Sequence, residues 1–143
     1  TESLDHVELD SRIEGPTESM LDTLGQYTAA VVVADRWYQH AQKTITYSLS
    51  FIPIEVIARL QIDWNDQQQL LEFLEHTSYD ENHHFYRSCT YSTSGNFTAK
   101  NYKLSSQDSF LLVFENIYDQ DHQLLMTNKH YIPCDLFKID LYI

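Results

Sequence analysis

The chain has 143 residues, 43% of them hydrophobic, which is enough to close one core of ordinary size and too little for two. Its formal charge of −12 would repel a phosphate backbone, because nucleic-acid affinity rests on Lys and Arg releasing condensed counterions. Three Gly, three Pro and 13% aromatic residues set the chain apart from disordered tails, so it is expected to fold.

The stretch up to Glu14 alternates Val7, Leu9 and Ile13 with charges, which fits an extended segment, either a strand or a linker. After Gly15 and Pro16, Met20, Leu21 and Leu24 recur at helical spacing and Gly25 closes a short helix. Ala29 to Tyr38 is β-branched and aromatic, and Lys43 to Ile52 alternates strictly, with Ile45, Tyr47, Leu49 and Phe51 on one side. The two read as paired antiparallel strands, joined by a turn whose type the QHAQ connection does not specify. Pro53 suits the first helical position of a short helix over IEVIARL, and Asn65 or Asp66 caps a second helix with Leu70, Leu71, Phe73 and Leu74 as its apolar stripe.

A third strand is predicted from His83 to Tyr91, with Phe85, Arg87, Cys89 and Tyr91 on one side, and a short helix over NFTAKNYKL (96–104). Phe110 to Tyr118 is an almost continuous apolar strand that predicts burial on both faces. DQDH then makes a turn into Leu124–Tyr131, and Phe137 to Ile143 alternates as a terminal strand. No repeat or internal linker divides the chain, so one α+β domain is expected: an antiparallel sheet with short helices packed on it.

Several chemistries find no foothold. No apolar run approaches the ~20 residues that span a bilayer, and TESLDHVELD has neither the basic nor the apolar region of a signal peptide, which points to a cytoplasmic protein without a membrane partner. Cys89 and Cys134 read as reduced structural thiols. No two of the seven histidines stand at i, i+4, so neither a metal site nor a cofactor is expected. No carboxylate pair, activated nucleophile or Gly-rich phosphate loop stands at a telling spacing.

The order of elements resembles the UTRA effector domain, found behind the winged helix of GntR-type regulators of the HutC subfamily. RWYQHAQKTITYSLSFIP (Arg36 to Pro53) is similar to that family's Arg-containing strand, polar turn, and strand ending in an aromatic, an aliphatic and Pro. LLEFLEHTSY (Leu70 to Tyr79) resembles its small helix and turn, and Tyr131, Asp135 and Phe137 occupy the places of a Tyr, an Asp and an aromatic after its buried strand and acidic turn. The resemblance implies a chorismate lyase-like fold and a small-molecule effector. It also implies a homodimer, with DNA held only through a winged helix that would lie before Thr1.

In sugar-phosphate-sensing members the ligand lies over the sheet, held by Arg residues on the first of the paired strands and a Glu on the second. Matched position by position, the resemblance keeps one Arg as Arg36, puts Tyr38 where another often sits and replaces the Glu by Ser48. It puts Met126 in place of a Glu on the last hairpin strand and matches Tyr131 to the hairpin Tyr. Losing both carboxylates removes acceptors for sugar hydroxyls, whereas Arg36 can offer a forked donor to a carboxylate or phosphate. The expectation is therefore a small anionic, partly apolar effector in a sheet-floored cavity where Arg36 meets Tyr131.

Blander roles stand beside these. Arg36 suits a salt bridge at a strand end, Tyr38 and Tyr131 suit core packing, Met126 fills space, and Ser48, opposite Arg36 if the two strands pair as drawn, suits either a single hydrogen bond or solvent. Arg87, on a strand lined by Phe85, Cys89 and Tyr91, wants either a ligand or a carboxylate. Two rival functions remain: a chorismate lyase-like enzyme, and an acidic protein-interaction module that mimics DNA.

Overall fold

The computed structural model describes residues 6–41, 43–92 and 109–134. The helix expected over 96–104, the terminal strand Phe137–Ile143, and Asp135 lie outside the described residues. Strands β1 (His6–Glu14), β2 (Val31–His40), β3 (Lys43–Pro53), β4 (His84–Ser92), β5 (Phe110–Tyr118) and β6 (Leu124–Pro133) form one antiparallel sheet in the order β1-β2-β3-β6-β5-β4. Helices α1 (Glu18–Leu24), α2 (Ile54–Arg59) and α3 (Gln67–Glu75) and a 3-10 turn (Thr77–Tyr79) complete it. This is the α+β architecture expected, with the opening segment resolved as a strand rather than a linker.

Local chemistry sets the element ends. Thr17 caps α1 by accepting from the Met20 amide at 3.1 Å, and Gly25, at φ 72°, closes it with its N–H donating to the Leu21 carbonyl. Asp66, not Asn65, caps α3, taking the Gln68 and Gln69 amides. Pro53 does not enter α2 as its first residue; it ends β3 in extended conformation and stands one position ahead of the helix. The β2–β3 turn places Ala41 at φ 50°.

Cross-strand partners in an antiparallel sheet point to the same face, so the register sorts the side chains. Arg36 pairs with Ser48 and Ser48 with His130, whereas Trp37 pairs with Tyr47 and Tyr47 with Tyr131. On the first face Val32, Ala34 and Ile52 pack under Val56, Ile57, Leu70, Phe73 and Leu74 of α2 and α3, with Ile117 and Met126 completing the cluster. Each large apolar side chain buried there contributes about 1.5–3 kcal/mol, which is what holds the two short helices down. The second face carries α1, through Leu24 against Val31, Val33 and Phe51, and a separate cluster of Trp37, Tyr47, Phe110 and Tyr131.

Strand β5 departs from its expected burial on both faces. Only Phe110, Glu115 and Ile117 are buried, because β5 lies one strand in from the edge and the helices of the first face reach it only at Ile117.

Candidate ligand-binding site

Where α2 and α3 stop covering the first face, the floor of the sheet changes from apolar to polar. Ser48 and Ser50 on β3, Asn128 and His130 on β6, Glu115 on β5 and Arg36 on β2 all project from it. Above them lie the last residue of α3, Glu75, and the 3-10 turn residue Tyr79. Between floor and roof is a cavity of about 500 Å³, lined by Arg36, Tyr38, Thr46, Ser48, Glu75, Tyr79, Val113, His130 and Ile132. That size suits a small metabolite.

A hydrogen-bonded chain runs across this floor. Tyr38 donates to Glu75 Oε2 at 2.7 Å and accepts from Arg36 Nη1 at 2.7 Å. Arg36 Nη2 donates to Ser50 Oγ at 3.2 Å, Ser50 donates to Asn128 Oδ1 at 2.5 Å, and Asn128 Nδ2 donates to Glu115 Oε1 at 2.9 Å. Glu115 also receives Tyr79 Oη at 2.6 Å, Arg87 Nε at 2.7 Å and His130 Nε2 at 3.2 Å. A proton on His130 Nε2 facing that carboxylate leaves Nδ1 of the neutral ring to accept from Ser48 Oγ, 2.7 Å away.

The two acids in this chain have different surroundings. Burial alone would raise the Glu115 carboxyl, but the bonds from His130, Tyr79, Asn128 and Arg87 outweigh it and hold the group well below the usual carboxylate range. Glu115 is thus a saturated structural anion. Glu75 is half-buried at the roof and has the Tyr38 hydroxyl as its one hydrogen-bond partner among the described residues. Burial pushes the Tyr38 hydroxyl up to about 12, with Arg36 opposing and Glu75 adding to the rise, so at neutral pH it keeps the proton it gives to Glu75.

Arg36 is the unusual member. It is 3% exposed, its Nε has no hydrogen-bond partner, and among the described residues no carboxylate lies within ion-pair distance of it. Buried guanidinium groups are ordinarily paired with an anion.

Of the residues expected at a site, Arg36, Tyr38 and Ser48 line the cavity together, and Ser48 stands opposite Arg36 as drawn from the strand pattern. Arg87 does not line it; this residue meets a carboxylate, Glu115, and lies over the Phe85 ring at 4.7 Å. Met126 is fully buried in the core under α2 and α3, outside the cavity.

Tyr131 corrects the expectation of an Arg36–Tyr131 contact. It points from the opposite face of the sheet, stacked on Tyr47 with ring centroids 5.8 Å apart, because the register sets its neighbour His130 beside Ser48. A slip of one residue exchanges the faces of a strand, and the β3–β6 register that fixes this parity joins strands far apart in the chain, which alternation does not reveal. The aromatic the cavity does hold is Tyr79, within the LLEFLEHTSY stretch but not singled out in it. Glu75 and His130 were also missed; neither is distinguished by spacing, and only the strand register brings His130 to Ser48.

Among the described residues no group of three or more His, Cys, Asp or Glu could hold a metal ion, and no helix is long and apolar enough to cross a membrane.

No protein-family model matches the chain, and no curated protein is similar to it in sequence. Solved structures are similar in fold. The α+β architecture is that of the effector-binding domains of GntR-family regulators. A GntR-family transcriptional regulator from Enterococcus faecalis V583 superposes with a TM-score of 0.73 at 12% identity, over 96% of this chain and 100% of that one. The effector-binding domain of the Bacillus subtilis trehalose repressor gives 0.69 at 12% identity over 96% of each chain. The ligand-binding domain of a GntR-family regulator from Bordetella bronchiseptica gives 0.69 at 10% identity, over 98% of this chain and 95% of that one. At such identities the likeness is one of architecture, and function must be argued from the site.

Proposed function

We propose that this chain is the ligand-sensing part of a cytoplasmic transcriptional regulator of the GntR/HutC type, and that it binds a small anionic, partly apolar effector in the cavity over Arg36. The carrying observation is the buried guanidinium with, among the described residues, an unpartnered Nε and no carboxylate in contact. A guanidinium has five N–H donors, and Arg36 uses Nη1 and Nη2 once each. An incoming carboxylate or phosphate supplies the missing charge. Tyr38 and Ser48 supply hydroxyls beside it, and Val113 and Ile132 an apolar wall. The similar structures, among them an effector-binding domain and a ligand-binding domain of GntR-family regulators, support this reading.

In this reading the chain forms a homodimer, and the effector acts by binding two arrangements of the dimer unequally, so that DNA-binding segments elsewhere in the regulator are repositioned. A charge of −12 suits a part that stays off the DNA. Sedimentation at micromolar concentration tests the dimer. The effector is tested by thermal-shift screening of small organic anions against neutral isosteres. Anions should stabilise the protein, and Arg36→Ala should abolish the effect; equal stabilisation of the Arg36→Ala protein would defeat the assignment.

A further inference from the structure

The cavity holds a second charge of opposite sign, and the way it is kept from Arg36 narrows the class of ligand. Glu75 ends α3 at the roof, half-buried, with Oε2 accepting from Tyr38. Among the described residues its Oε1 has no hydrogen-bond partner and no cation stands within ion-pair distance of the carboxylate. Arg36 would be its natural partner, yet the two do not touch. The Tyr38 hydroxyl stands between them, 2.7 Å from Arg36 Nη1 and 2.7 Å from Glu75 Oε2. One opposed pair is therefore held open at the cavity wall, each member with unused hydrogen-bonding capacity. Glu115 offers the contrast, since four donors occupy it and both of its oxygens are engaged.

Resting on the anionic-effector reading above, we propose that the ligand carries a hydrogen-bond donor, an ammonium or a hydroxyl, close to its anionic group, with the anion on Arg36 and the donor on Glu75. A plain anion in this cavity meets an unneutralised carboxylate at the roof and is repelled by it. A plain cation meets a buried guanidinium on the floor. A compound bearing both an acid and an adjacent donor satisfies each wall, and the same carboxylate then discriminates against analogues lacking the donor, because Glu75 would be enclosed beneath the ligand without a partner. Val113 and Ile132 leave room for an apolar body on the side away from this pair.

The test uses three probes of one size that differ at a single position: 3-phenylpropionate, 3-phenyllactate and phenylalanine. Binding to the full chain is followed by calorimetry and ligand-observed NMR at millimolar probe. At least one donor-bearing probe should bind about tenfold or more tighter than 3-phenylpropionate, with the preference for hydroxyl or ammonium naming the donor. Glu75→Gln should erase the difference while leaving 3-phenylpropionate bound as well or better. Because Glu75 is half-buried, the variant is expected to fold, and Tyr38→Phe provides a second route: without the bridging hydroxyl Arg36 and Glu75 are free to close on each other, so the donor preference should shrink. Equal affinity for all three probes, or a preference that survives Glu75→Gln, overturns the proposal; if Arg36→Ala then abolishes all binding, the anionic-effector reading still stands. Binding of none of the three overturns both.

Discussion

The Tyr79 hydroxyl donates to Glu115 Oε1 at 2.6 Å, which fastens the turn after α3 to the middle of β5. The bond is made to a buried carboxylate, where charge assistance raises its net worth to about 1.5–3 kcal/mol. Tyr79→Phe keeps the ring, including its stack on Phe85 at 5.8 Å, and removes only the donor. The variant should lose stability by that amount in urea denaturation with an unchanged m-value. A loss below about 0.5 kcal/mol would mean that Asn128, Arg87 and His130 satisfy the carboxylate without help.

Glu115 should also mark the acid limb of stability. Its folded carboxyl is held below the ordinary range, so the unfolded chain takes up a proton that the folded chain refuses. The contribution is present in full above the unfolded value of about 4.3 and is lost as pH falls through the folded one, with a slope of up to about 1.4 kcal/mol per pH unit from this group. Glu115→Gln should lower stability at pH 7 and flatten the decline below about pH 4. An acid limb of unchanged steepness in the variant would place its origin in other carboxylates.

The architecture was readable because burial and periodicity agree wherever a helix covers the sheet. Val32, Ala34 and Ile52 alternate with their neighbours, Leu70, Phe73 and Leu74 recur at helical spacing, and the two patterns meet in one cluster. The β2–β3 register was readable too, since a short connection leaves few ways to pair the strands, and it set Ser48 opposite Arg36. The far half of the site was not legible. Whether His130 or Tyr131 reaches Arg36 depends on the parity of the β3–β6 pairing, which is made by β6 inserting between β3 and β5 and leaves no local mark. Glu75 and Glu115 look like any other acids in an acidic chain; what separates them is the number of donors aimed at each.

Ser48, His130 and Glu115 stand in a row that mimics a hydrolase triad, and the geometry argues against its use as one. Ser48 lies inside β3 between two paired strands, where the ladder takes up its backbone amide and leaves no free N–H to hold an oxyanion. The serine is 1% exposed. The chain should therefore hydrolyse p-nitrophenyl acetate at the rate of the buffer and remain unlabelled at Ser48 by a fluorophosphonate. Labelling of Ser48, suppressed by His130→Ala, would revive the enzymatic alternative.

Arg36 offers the sharpest separation of a ligand-binding role from a structural one, because the two predict stability changes of opposite sign. Desolvating a guanidinium costs several kcal/mol, and this one recovers only part of that through Tyr38 and Ser50. Replacing it by Met keeps the apolar stem and removes the charge, while leaving few orphans: Tyr38 still donates to Glu75, and Ser50 still donates to Asn128. The ligand-free Arg36→Met protein should match or exceed the parent in stability, by up to about 1–4 kcal/mol, and should no longer be stabilised by anionic ligands. Chemical denaturation with and without such a ligand measures both effects. A loss of about 3 kcal/mol or more in the ligand-free variant would show that the guanidinium holds the sheet together, and the cavity would then need another explanation for the charge on its floor.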